Sequence, residues 1–288
     1  MVAGAEMFLD GLLATAARSG VSAFAITVLV SGLELENLGA GIAANASGLQ
    51  GAAAGTFLGG TTFLALGVAG LAAVIAPVRA RLPGAALAWT FASPLPLLVF
   101  ALDGEISRLD GALLLAWSVI SLAGLVRAGR KLLAFEPPDR RRFPIAWLVG
   151  GIAVLSGGGE LLAEGIRGVV ERLGVSQTLL GNTVVAASVE GEEVARVVAP
   201  SRRGLGELGL GNIVGTIVHF VSFNAGVISL IEPLKLNAAS RHLHLPVAVG
   251  ATSLLCGVLA WRGALSRLIG GLFLSAYVAY IATAIIAG

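Results

Sequence analysis

Long apolar runs alternate with short polar breaks along this chain, and that pattern limits the fold more than any other feature. Runs of membrane-spanning length fall at roughly 22–45, 52–78, 84–102, 110–127, 143–164, 175–199, 207–231, 243–261 and 266–287. About 18 to 25 apolar residues carry a helix across a bilayer. The runs therefore predict nine spans, preceded by a helical stub at 5–19. Only 12% of the residues are charged, where a soluble domain has about 25%. The expectation is an all-α, multi-pass integral membrane protein of a cell membrane, plasma or inner, with the lipid bilayer as its surroundings. The single cysteine, Cys256, lies in an apolar run and excludes an internal disulfide.

Against that background the stretch TVVAASVEGEE at 183–193 is anomalous, because Glu190, Glu192 and Glu193 interrupt an apolar segment. A carboxylate at the centre of a membrane helix costs roughly 2.5 to 3.5 kcal/mol on insertion scales, and residues retained at that cost usually mark an ion or proton path. The stretch has an earlier echo in TVLVSGLELEN at 27–37, displaced by 156 residues, which pairs Glu34 with Glu190 and Glu36 with Glu192. The same register matches Gly48 with Gly204, Gly55 with Gly211, Gly59 with Gly215 and Pro77 with Pro233. Two buried glutamates and a terminal proline recurring in one register indicate an internal duplication.

Residues 1–126 form the first repeat, 127–142 a linker with Pro137, Pro138 and three successive arginines, and 143–288 the second repeat. The N-terminal stretch 3–22 resembles 158–176, with Glu6 over Glu160 and Gly11 over Gly165, but lacks the front of that span. The first helix of the first repeat is thus read as truncated, either lost or lying upstream of residue 1. Lys and Arg collect in alternate breaks, at Arg79 and Arg81, through 127–142, at Arg202 and Arg203, and at Arg262 and Arg267. By the positive-inside rule that side, including the linker, is expected to be cytoplasmic. Five helices per half, counting the stub, make the two repeats inverted. Inverted repeats place a transporter's site near the midplane, at interrupted helices. Gly32, Gly39 and Gly41 in the first copy, and Gly191 and Pro200 in the second, are the expected interruption points.

The second half resembles the α-repeat of the sodium/calcium exchanger family, the cation/calcium antiporters. The residues that carry the likeness are Gly174-Val175-Ser176, Gly181, Thr183 to Ala186, Glu193, Arg202-Arg203-Gly204, Gly211-Asn212 and Gly215-Thr216. The α-repeats then span 20–78 and 174–233. The resemblance implies an antiporter of two inverted five-helix halves with a mid-membrane cation site. It puts the family's cation-binding glutamate on Glu193 and, in the first copy, on Asn37, with Glu36 one residue short. It also puts the family's second-helix serine on Thr216 and Gly60, and the coordinating Asn or Asp that follows on Phe220 and Leu64.

The residues themselves lead to related chemistry. Glu190 and Glu193 share a helical face, as do Glu34 and Asn37. If the two faces meet, three carboxylates and an amide converge. A hard cation such as Ca2+ takes six to eight oxygens at about 2.3 to 2.6 Å, and without it crowded carboxylates favour protons. The expected site comprises Glu34, Glu36, Asn37, Glu190, Glu192, Glu193, Asn212 and Thr216. Arg196, one turn past Glu193, is a charge partner, and His219 a proton relay or, on the plainer reading, a packing residue. Asn224 reads as a helix-to-helix hydrogen bond. The partners are small inorganic cations such as Ca2+ or Na+, taken as substrates, with no cofactor. Neither HExxH nor a nucleotide motif is present, so enzyme and nucleic-acid readings have no support. The alternative is a membrane protein that keeps the fold but does not transport.

Overall fold

A computed structural model describes residues 2–32, 34–130, 132, 143–172 and 191–287. The first repeat holds α1 (Val2–Ser19), α2 (Ala23–Ser31), α3 (Leu35–Ala46), α4 (Gln50–Thr62), α5 (Ala69–Ile75), α6 (Gly84–Ala92), α7 (Leu95–Phe100) and α8 (Arg108–Gly129). The second holds α9 (Pro144–Arg172), α10 (Gly191–Arg202), α11 (Gly206–Val218), α12 (Ala225–Ile231), α13 (Leu245–Arg262) and α14 (Arg267–Ala287). Among the described residues eight helical segments are long and apolar enough to cross a membrane. They coincide with eight of the nine expected runs. The ninth, 175–199, lies outside the described residues up to Glu190, as do most of the linker and the motif residues 174–186.

The displacement of 156 recurs element by element. It carries α3 onto α10, α4 onto α11 and α5 onto α12, and the π-helical turn Phe63–Val68 onto His219–Asn224. The local chemistry is repeated with it. Gly48 and Gly204 both take positive φ, 75° and 76°, at the hairpin between the paired helices, a conformation that costs glycine nothing. Ala76 and Glu232 are both extended and end their helices because each precedes a proline, Pro77 or Pro233, which disfavours the helical region. Four short strands, β1 (Val78–Arg79), β2 (Glu105–Ile106), β3 (Leu234–Lys235) and β4 (Ala264–Leu265), pair antiparallel as β1 with β4 and β2 with β3. Each repeat is thus clasped to the other at both ends.

The inversion is visible in the first helices of the two repeats. Gly4 packs on Leu155, Phe8 on Gly151 and Gly11 on Leu148, so residue numbers rise along α1 as they fall along α9. Equivalent helices run antiparallel, as inverted repeats require. α1 has 18 residues and α9 has 29.

Helix interruption falls where a glycine ends a helix, and not at every glycine or proline. α2 stops at its cap, Gly32, and α3 begins at Leu35. Its partner α10 is described from Gly191 onward, so the break expected there lies at the edge of the described residues. Gly39 and Gly41 lie inside α3, and Pro200 lies inside α10, so these three expected breaks are not breaks. Gly41 is needed for space: a Cβ there would sit 2.8 Å from Thr56 Oγ1. Pro200 lies in the last turn of α10, where the helix tolerates its missing N–H at the cost of one bond to the Arg196 carbonyl.

Candidate functional site: a buried carboxylate at the repeat interface

α10 is a 12-residue helix whose first turn carries Glu192 and Glu193. A basic side chain one turn on gives these two carboxylates a local partner in an apolar setting. Glu193 is fully buried, at 0% exposure, and Arg196 on the next turn is 6% exposed. The Arg196 guanidinium bridges both acids, with Nη1 donating to Glu193 Oε1 at 2.5 Å and Nη2 lying 3.2 Å from Glu192 Oε1. The other oxygen of Glu193 accepts from Asn212 Nδ2 on α11. Glu192 Oε2 accepts from Ser156 Oγ on α9 at 3.0 Å, and the Phe8 ring of α1 lies 5.6 Å below the guanidinium. Breaking one half of a buried ion pair costs about 3 to 5 kcal/mol, so this arrangement is held firmly.

The first repeat contributes from across the interface. Asn37 Nδ2 donates to Glu34 Oε2 at 2.5 Å, at the start of α3. The charge of Glu34 is felt by Arg196, and that of Glu36 by Glu192. Contact geometry joins Glu192, Glu193, Arg196 and Asn212, whereas burial differs from the expectation of two buried glutamates per copy: in the first repeat Glu34 is half-buried and Glu36 exposed, because α3 turns that side of its first turn outward. Glu190 lies outside the described residues. Among the described residues no three His, Cys, Asp or Glu side chains form a group that could hold a metal ion; the oxygens of Glu193 face Arg196 and Asn212 instead.

Two neutral side-chain oxygens lie on α11, the helix that supplies Asn212. Asn212 Oδ1 is buried and accepts no hydrogen bond among the described residues. Thr216 is buried one turn on, with its hydroxyl donating to the Asn212 carbonyl at 3.0 Å. Phe220 and Leu64 are fully buried apolar residues. A Cβ on Gly60 would run into the Phe220 ring, so that ring fills the space left by the missing side chain. His219 Nδ1 donates to the Gly215 carbonyl at 2.9 Å, since a carbonyl can only accept, and the ring packs over Gly32 where α2 breaks. Asn224, expected to bond another helix, is buried with no partner for Nδ2 among the described residues.

Ser156 and Phe8 carried no signal in the sequence, because each reaches the site from a helix that packs beside α10. Gly215 did carry one. A Cβ there would lie 2.9 Å from the Val28 carbonyl, so this glycine lets α11 cross α2 at contact distance.

Residues 143–286 match the family model described as sodium/calcium exchanger protein. An uncharacterized membrane protein of Methanocaldococcus jannaschii is 27% identical over 97% of this chain and 93% of its own length. The inner membrane protein YrbG of Escherichia coli is 26% identical over 82% of this chain and 77% of its own length. Among solved structures, the sodium-calcium exchanger NCX_Mj soaked with zero Na+ and Ca2+ superposes with a TM-score of 0.82 at 26% identity, covering 97% of this chain and 93% of that one. The family match alone takes in half of the residues, and the fold likeness extends over nearly all of them, through both repeats: this chain is a member of the sodium/calcium exchanger family of membrane transport proteins.

Proposed function

We propose that this protein is a secondary active cation antiporter that moves Ca2+ or another divalent cation against H+ or Na+ by alternating access through the buried carboxylate site. One observation supports the reading: Glu193 is fully buried, with its two carboxylate oxygens held by Arg196 and Asn212, on a helix against which Phe8 of the other repeat packs. Retaining such a group in a bilayer is costly without an ion to serve. The cation is the substrate, and no cofactor is invoked. Glu34, Asn37, Glu190, Glu193, Asn212 and Thr216 supply the oxygens, Glu36 and Glu192 flank them, and His219 relays protons. The protein lies in the plasma or inner membrane with the linker in the cytoplasm.

A non-transporting role is the second reading, and it has one observation in its favour. Phe220 and Leu64 are apolar and buried where the family resemblance calls for coordinating side chains. Flux separates the two. In proteoliposomes an imposed H+ or Na+ gradient drives uptake of a cation from a panel that includes Ca2+, and Glu193→Gln abolishes it. Wild-type rates in the Glu193→Gln protein overturn the site, and a wild type that moves no cation establishes the second reading.

A further inference from the structure

The two copies of the site differ in one paired respect. The displacement of 156 sets Asn37 against Glu193 and Ala40 against Arg196, so the second copy carries an acid and a base, on successive turns of one helix, where the first copy has neither. This base is not at the surface. Arg196 is buried, its fork spans Glu193 and Glu192, and Phe8 covers its face. An arginine keeps its proton under all physiological conditions, so the charge is permanent.

Every oxygen of Glu193 is thereby engaged by the protein, Oε1 by Arg196 and Oε2 by Asn212. A divalent cation seeks six to eight oxygens, and it gains the Glu193 carboxylate only when the guanidinium withdraws. A purely structural pair would leave its surroundings satisfied. Here Asn212 Oδ1 and Arg196 Nε are both buried without a hydrogen-bond partner among the described residues, so the arrangement leaves an acceptor beside the carboxylate uncommitted.

We infer that Arg196 is a tethered cation that competes with the transported ion for Glu193 and thereby sets the site's affinity for divalent cations. The inference rests on the antiporter reading and adds a specificity determinant to it. The guanidinium occupies the second-copy half of the site, and an incoming cation exchanges with it before it exchanges with anything across the membrane.

Equilibrium binding of radioactive Ca2+ to the purified full-length protein tests this, at fixed Na+ and pH, alongside flux in proteoliposomes. Loss of a unit charge a few Å from the carboxylate raises the affinity of Arg196→Gln for Ca2+ by about tenfold or more. Arg196→Lys, which keeps the charge but loses the two-pronged hold, lies between the two. A monodisperse Arg196→Gln protein that binds Ca2+ no tighter than wild type overturns the inference. Should that variant fail to fold, Arg196→Lys decides, and binding equal to or weaker than wild type overturns it. A wild type that exchanges cations while Arg196→Gln gains no affinity defeats this inference alone. A wild type that moves no cation defeats the antiporter reading beneath it.

Discussion

Gly226 and Gly111 meet backbone to backbone: a Cβ on Gly226 would lie 2.9 Å from the Gly111 carbonyl oxygen, and one on Gly111 would lie 2.8 Å from that of Gly226. The contact has a twin in Gly70 and Gly270, where a Cβ on Gly70 would lie 2.9 Å from the Gly270 carbonyl. The two crossings are exchanged by the repeat symmetry, α12 on α8 in one and α5 on α14 in the other. Small residues let membrane helices approach closely, and packing is what holds them there, because lipid is as apolar as the helix surface.

Substitution at these crossings is therefore costly. Gly226→Val drives two methyl groups into α8 and is expected to destabilise the protein by about 1 to 3 kcal/mol. Gly250→Ala, at a helical glycine with open space around it, is expected to be neutral or stabilising by up to about 1 kcal/mol. Thermal unfolding in detergent compares the two variants with wild type.

Gly32 and His219 form a second steric pair. A Cβ on Gly32 would overlap the imidazole, which cannot swing away without losing its bond to the Gly215 carbonyl. Gly32→Ala is expected to cost about 1 to 3 kcal/mol, as overpacking does, and His219→Ala to remove most of that cost in the double variant. A double-mutant cycle on unfolding midpoints measures the coupling. Additive costs would show that the helix break at Gly32 does not depend on the ring.

Asn212 is predicted to matter through its amide. Asn212→Leu takes from Glu193 a donor and from the site an oxygen, and it leaves a buried carboxylate oxygen without its partner, a penalty of about 1 to 3 kcal/mol. The rate of cation exchange in proteoliposomes is expected to fall at least about tenfold, with the protein still monodisperse. Unchanged exchange would remove Asn212 from the site.

Arg203 gives the opposite expectation. It pairs with Glu6 and Asp10 of α1, the latter at 2.7 Å, but the arginine side chain is 37% exposed. Exposed pairs contribute about 0 to 1 kcal/mol, so Arg203→Ala is expected to move the unfolding midpoint little. A large drop would mean that this pair anchors α1 far more strongly than its exposure implies.

Cys256 is buried in α13. A maleimide is expected to label it slowly in the folded protein and fully after denaturation, read by mass spectrometry. Rapid labelling of the folded protein would contradict the packing of that helix.

The duplication was legible because its markers act locally. A glycine with positive φ, a proline that ends a helix and a glycine at a crossing impose the same geometry wherever they recur, so Gly48 with Gly204 and Pro77 with Pro233 carried the register into the structure intact. The same locality misled at Gly39, Gly41 and Pro200. A helix breaker breaks only where packing does not hold the helix together, and those three lie inside continuous helices.

The sequence by itself determined that the chain crosses a membrane, that it is built from two copies of one unit and that each copy carries acids in an apolar stretch, because hydropathy and repetition are properties of the order of residues. Tertiary structure alone decided which groups those acids face. Arg196 could be assigned to Glu192 or Glu193 from spacing, yet only the fold shows its guanidinium spanning both, with Asn212 on the remaining Glu193 oxygen and Ser156 and Phe8 arriving from other helices. Partners brought together by packing come from positions far apart in the chain, and no local pattern records them.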